Sequence, residues 1–133
     1  FGKLRKSLGQ SEIDNHFELL RFCNKIDYSI TGGASKLFKY FLSTFQVDNI
    51  ISYADRPWSN GNLYENLGFK LEHITNPNYY YVVNNLRKNR YNFRKDRLIE
   101  LGFDPNKSES KIMKERGYNK IYDSGSLKYS FKN

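Results

Sequence analysis

Six cationic side chains, Arg87, Lys88, Arg90, Arg94, Lys95 and Arg97, fall within eleven residues and are interleaved with Tyr91 and Phe93. Clustered cations neutralise phosphates and flat rings stack on bases, so this mixture predicts contact with a nucleic-acid backbone. If Phe93 to Leu101 is helical, Arg94 and Arg97 are neighbours at i and i+3, Lys95 points elsewhere, and Leu98 and Leu101 face a core. A solvated basic helix face is the competing reading of the same residues. Lys111, Lys114 and Lys120 widen the patch only if a second helix folds beside the first. The charge balance agrees with a polyanionic partner. Residues 1–75 hold 9 basic and 8 acidic side chains, whereas residues 76–133 hold 13 and 6, so +7 of the net +8 lies in the second stretch. DNA is the expected partner.

Other chemistries find little support. There is no Asp…Glu-x-Lys set on adjacent strands, no His-Asn-His arrangement and no Gly-Ile-Tyr/Tyr-Ile-Gly pair, so cleavage of nucleic acid by these residues is not expected. Ser-His-Asp chemistry has only scattered single residues. Cys23 is the one cysteine, and His16 and His73 lie far apart without a cysteine at ligand spacing, which predicts no internal disulfide and no metal. Asp55 followed by Arg56 is either a site-forming pair or an acidic strand end capping a loop. Trp58, among Ser59 and Asn60, either lines a cleft or anchors its loop to the core. Tyr79 to Tyr81 reads as an aromatic strand alternating between core and surface.

The chain must fold to place such residues. At 133 residues with 38% hydrophobic and 17% aromatic content it can bury a core. No run of about 18 apolar residues occurs and Phe1 to Lys6 is neither a signal nor a transit peptide, so a cytoplasmic setting without membrane contact is expected. The opening Phe-Gly-Lys-Leu-Arg reads as the end of a strand, as in a piece of a longer protein. Phe17 to Cys23 is a predicted strand. Leu37, Phe38, Phe41, Leu42 and Phe45 mark one face of a helix from Ser35 to Phe45. Asn49 to Ala54 is a second strand, parallel to the first. A short helix over Asn62 to Leu67 stops at Gly68, and Phe69 to Ile74 and Tyr79 to Val83 are two further strands joined across Asn76-Pro77-Asn78. Beyond Asn84 the texture turns basic, placing a boundary between 1–83 and 84–133. Ser108 caps a helix from Glu109 to Arg116, and Lys120 to Tyr122 pairs with Leu127 to Phe131 as a hairpin around Asp123-Ser-Gly125.

Ser29-Ile-Thr-Gly-Gly-Ala34 before a helix, followed by Asn62-Leu-Tyr-Glu-Asn-Leu-Gly-Phe69, resembles the GCN5-related N-acetyltransferase (GNAT) family. The resemblance covers residues 1–83 and the second half of that fold. It implies a mixed α/β fold: a partial GNAT-like β-α-β-α-β-β core followed by a basic helix and hairpin extension. In the family the glycine-rich loop opens a helix whose amides bind the coenzyme A pyrophosphate, which small residues and the helix dipole favour. Gly32, Gly33, Ala34 and Ser35 then become the cofactor site for acetyl-coenzyme A, Tyr64 the general acid and Glu18 the general base. Ser29 and Pro57 depart from the family's Gln or Arg and Asn. Outside that reading no cofactor is expected, the glycines make a tight turn, Tyr64 packs under its helix and Glu18 faces solvent.

A longer resemblance runs through Leu19 to Lys25, Gly32 to Leu37, Ile51 to Arg56, Trp58 to Tyr64, Tyr91 to Lys95, Gly102-Phe-Asp-Pro-Asn-Lys107 and Ile121 to Gly125. It is similar to the carboxy-terminal region of phage homing-endonuclease-like proteins. This implies a DNA-binding or DNA-positioning module, in a phage-infected cell or similar intracellular setting, with a nuclease module preceding Phe1 or on another chain. The alternative is an acyl-coenzyme-A-dependent N-acyltransferase.

Overall fold

The computed structural model describes residues 1–6 and 9–133 and has a mixed α/β fold of two compact units. Unit 1 comprises Phe1–Thr75 and Gly125–Asn133, and unit 2 comprises Asn76–Ser124. In unit 1 the strands are β1 (Gly2–Lys3), β2 (His16–Glu18), β3 (Asn49–Asp55), β4 (Lys70–Ile74) and, last, β8 (Ser126–Lys132). Their order in the sheet is β1-β2-β3-β8-β4. The strand expected at the opening residues is present as β1, antiparallel to β2.

The expected β-α-β crossover is present, since β2 and β3 are parallel, His16 opposite Asn49 and Glu18 opposite Ile51, with helix α1 (Gly33–Thr44) between them. The first strand is shorter than the Phe17 to Cys23 expected. Leu19 N–H still donates to the Ile51 carbonyl at 2.9 Å, but the buried Ser52 hydroxyl takes the Leu19 carbonyl at 2.7 Å. The chain leaves the ladder at this point.

Alternation along β3 sends Ile50 and Ala54 to the side of α1. They join Phe38 and Phe41 of α1, Phe69, and Tyr129 of β8 in the core of unit 1. Leu37 and Phe45, expected on the same helix face, stay exposed. Helix α2 (Asn62–Asn66) packs on the same core through Tyr64, whose ring stacks on Tyr129 at 5.0 Å. Gly61 precedes it with φ +87°, and a Cβ there would overlap the Tyr129 hydroxyl. Only glycine suits that backbone and that contact.

Unit 2 holds β5 (Tyr79–Val83), β6 (Leu86–Asn89) and β7 (Asn119–Tyr122) in the order β6-β5-β7, all antiparallel. Between β6 and β7 lie a 3-10 turn (Arg90–Phe93), α3 (Lys95–Glu100) and α4 (Glu109–Glu115). Tyr81, Leu98, Ile112 and Met113 form its core. Ser108 caps α4 as expected, its Oγ accepting from Lys111 N–H at 3.3 Å.

This division departs from a boundary at Val83. Asn84 and Asn85, with φ 51° and 61°, make a two-residue turn that pairs Val83 with Leu86, so the basic stretch begins inside a hairpin. The two strands joined across Asn76–Asn78 belong to different sheets. The hairpin expected around Asp123–Gly125 is also not formed. β7 pairs with β5, and β8 lies between β3 and β4, where Tyr129 meets the α1 side. Gly125, at φ +72°, marks the passage, because a Cβ there would overlap the Thr75 carbonyl oxygen.

Candidate nucleic-acid interface

The hairpin register positions the first cations of the basic tract. Arg87 lies opposite Val82, on the face that alternation assigns to Tyr80, and its guanidinium sits 4.5 Å from the centre of the Tyr80 ring. Lys88 lies opposite Tyr81 on the other face. Asn89 Oδ1 then accepts from Tyr91 N–H at 2.9 Å and starts the 3-10 turn. Phe93 packs edge-on against the buried Tyr81 at 5.4 Å and anchors the turn, so it is a core residue rather than a stacking platform. Tyr91 is exposed and carries two guanidiniums, Arg94 at 4.1 Å and Arg97 at 5.0 Å. Arg90 lies 4.7 Å from Tyr79. Leu98 is fully buried as expected, whereas Leu101 is exposed, because α3 ends at Glu100.

The tract therefore holds its arginines mainly on rings. Arg94 with Asp96, 3.0 Å apart, is its one ion pair among the described residues. A ring face fixes a cation with about 0.5–1 kcal/mol at an exposed site, yet leaves its full charge uncompensated. Unit 2 as a whole carries 11 basic and 6 acidic side chains, a net +5. The roles of Tyr79 and Tyr80 were missed in the sequence. The Asn84-Asn85 pair was the signal, since a two-residue turn there fixes which side chains share a face.

In unit 1 the other candidates do not converge. Gly32, at φ +71°, precedes α1, whose first turn has neither a side-chain cap nor an acidic residue. Ala34 borders an apolar cleft of about 280 Å³ that also touches Leu19, Arg21, Phe38 and Leu67. Tyr64 is not among its walls; it is half-buried between Tyr129 and Phe69. Glu18 does not face solvent: it is 1% exposed, and Arg5 Nε donates to its two oxygens at 2.9 and 3.0 Å while Nη2 also bonds Oε1. Phe17, its neighbour on β2, packs edge-on against Phe41, so alternation turns Glu18 to the face away from α1 and Tyr64. A base must reach its substrate, and this carboxylate is committed to Arg5.

The backbone carbonyl of Asp55 caps the next loop, accepting from Trp58 and Ser59 N–H at 3.0 and 2.9 Å. Trp58 itself is 88% exposed and anchors nothing to the core. Among the described residues no group of three or more His, Cys, Asp or Glu could hold a metal ion, and no helix is long and apolar enough to cross a membrane. Comparison with known proteins finds no family model, no curated sequence and no solved structure that matches this chain.

Proposed function

We propose that the protein binds and positions DNA through the Arg87–Arg97 tract of unit 2, as the module that the resemblance to phage homing-endonuclease-like proteins implies. One observation carries this reading. Arg87, Arg90 and Arg97 are held over tyrosine rings with no carboxylate partner among the described residues, so their charge remains free to meet phosphate. Arg94 and Arg97 share Tyr91 and act as one clamp. Binding of labelled duplex DNA across a salt series tests it. The expected result is a steep dependence that the Arg94→Ala, Arg97→Ala pair makes shallower by about two units of log–log slope. Absence of duplex binding at low salt sinks the proposal.

A second reading, the acyl-coenzyme-A-dependent N-acyltransferase, is favoured by the cleft beside Ala34 where β2 leaves β3. Gly32 to Ser35 would hold the pyrophosphate and Tyr64 would be the acid, with Glu18 excluded as base by Arg5. An acetyl-coenzyme-A titration on the same sample separates the two: heat or a thermal shift with the coenzyme and none with DNA selects the transferase.

A further inference from the structure

Tyr79 carries a second cation on its ring: besides Arg90, Lys120 of β7 lies 4.1 Å from the ring centre, and Lys120 also lies 5.8 Å from that of Tyr81. The two rings are held in place by Glu109 at the start of α4. Its Oε1 accepts from the hydroxyls of Tyr79 and Tyr81 at 2.9 and 3.0 Å, and the rings meet edge to face at 5.8 Å. Lys120 therefore leaves the sheet at a fixed place. It borders a cleft of about 200 Å³ between α4 and β7, whose other walls are Ser110, Lys114, Asn119, Tyr81 and Tyr118. Two lysines and a serine border one recess. Neither lysine has an ion-pair partner among the described residues, and Glu109, the nearby carboxylate, is engaged by two phenols. Such a recess offers charge and several hydrogen-bond donors to an anion of phosphate size.

We propose that this α4–β7 cleft binds a second phosphodiester of the same nucleic acid, the two contacts being linked through Tyr79. The inference rests on the reading of the Arg87–Arg97 tract as a DNA contact and extends it to the opposite edge of the sheet, since β6 and β7 flank β5. Lys114 and Lys120 supply the charge and Ser110 a neutral donor. The Glu109–tyrosine pair positions Lys120. No base edge is read here, so the contact adds affinity and orientation without sequence preference.

The test compares duplex binding across a salt series for four forms of the full chain: the natural protein, Lys114→Gln with Lys120→Gln, the Arg94→Ala, Arg97→Ala pair, and Lys36→Gln with Lys39→Gln on α1 as a charge-matched control. Circular dichroism confirms that each is folded. The cleft pair is expected to flatten the log–log salt slope by about two, equally for unrelated sequences, while the α1 pair leaves it unchanged. If the cleft pair binds like the natural protein while the tract pair is weakened, the cleft inference is overturned and the tract reading stands. If the cleft and α1 pairs lose slope equally, general charge rather than the cleft is responsible and the inference also fails. If no form binds duplex, both readings fall together. A parallel titration with inorganic phosphate and a nucleoside monophosphate, read by the amide resonances of Ser110 and Lys120, distinguishes the source of the anion. Saturation by these small anions with no DNA-induced shift would overturn the phosphodiester assignment.

Discussion

Removing Arg5 is expected to destabilise the protein far more than removing Glu18, although the two form one ion pair. The pair is lopsided: the Glu18 side chain is 1% exposed and that of Arg5 is 46% exposed. Arg5→Ala leaves a carboxylate buried in the sheet with its charge unmatched, which costs about 3–5 kcal/mol. Glu18→Ala leaves a guanidinium that water already reaches, so the loss is close to that of a charged hydrogen bond, about 1.5–3 kcal/mol. At an m-value of ~2 kcal/mol/M, losses of about 4 and 2 kcal/mol move the urea midpoint by roughly 2 M and 1 M. The double variant removes the orphaned charge and should be more stable than Arg5→Ala alone. Urea titration followed by far-ultraviolet circular dichroism, with all three variants and the natural protein at one pH, reads this directly. Equal midpoints for the two single variants, or a double variant weaker than Arg5→Ala, would show that burial of the carboxylate is not what Arg5 compensates.

Gly61→Ala places a Cβ on the Tyr129 hydroxyl at a left-handed backbone position, adding about 1–2 kcal/mol for the conformation and about 1–3 for the overlap; a thermal midpoint equal to that of the natural protein would contradict the contact. Ser108→Ala removes the cap of α4 and should cost about 1 kcal/mol, seen as faster amide exchange at Lys111. Burial, and then the hydrogen bond to Glu109, raise both Tyr79 and Tyr81 above the usual phenol value of 10.0. The folded state therefore keeps these protons when the unfolded chain has lost them, so the stability they contribute is complete below pH 10.0 and declines as pH rises above it. Alkaline unfolding followed by ultraviolet difference absorbance should flatten in Tyr79→Phe with Tyr81→Phe, and an unchanged profile would count against the network.

The elements that were legible in the sequence are those specified by local signals. Helix α1 announced itself by apolar spacing, α4 by Ser108 and Gly117, and the parallel pairing of β2 with β3 by the helix between them. What was hidden depends on partners far along the chain. β8 inserts between β3 and β4 because both have edges to pair, and nothing within Ser126 to Lys132 says that these edges lie so far back in sequence rather than next door in β7. The same holds for Glu18, a buried carboxylate whose partner, Arg5, lies thirteen residues earlier. The cations of the candidate site were legible as a cluster, and Leu98 as their anchor to the core. The rings that hold Arg87 and Arg90 were not, because Tyr79 and Tyr80 reach them only through the register that Asn84 and Asn85 impose.

Six cations of unit 2 lie over aromatic rings, while three of unit 1 meet carboxylates. In unit 1, Lys3, Arg5 and Lys128 each meet a carboxylate, Glu12, Glu18 and Glu72. The Lys128 contact holds the Glu72 carboxyl below its ordinary range, as expected for charges that satisfy each other. In unit 2, Arg87, Arg90, Arg94, Arg97, Arg116 and Lys120 lie over aromatic rings, Arg94 also pairing with Asp96 and Lys107 with Glu115, and in unit 1 Lys25 lies over Tyr28. A carboxylate orders a cation by cancelling it, and a phosphate must then displace an existing bond. A neutral ring orders the cation at similar strength and cancels nothing, so an incoming phosphate meets a positioned charge without competition. The ring contacts of Arg87, Arg90 and Arg97 therefore fall on the same stretch that the charge balance marks, and they leave its charge open to phosphate.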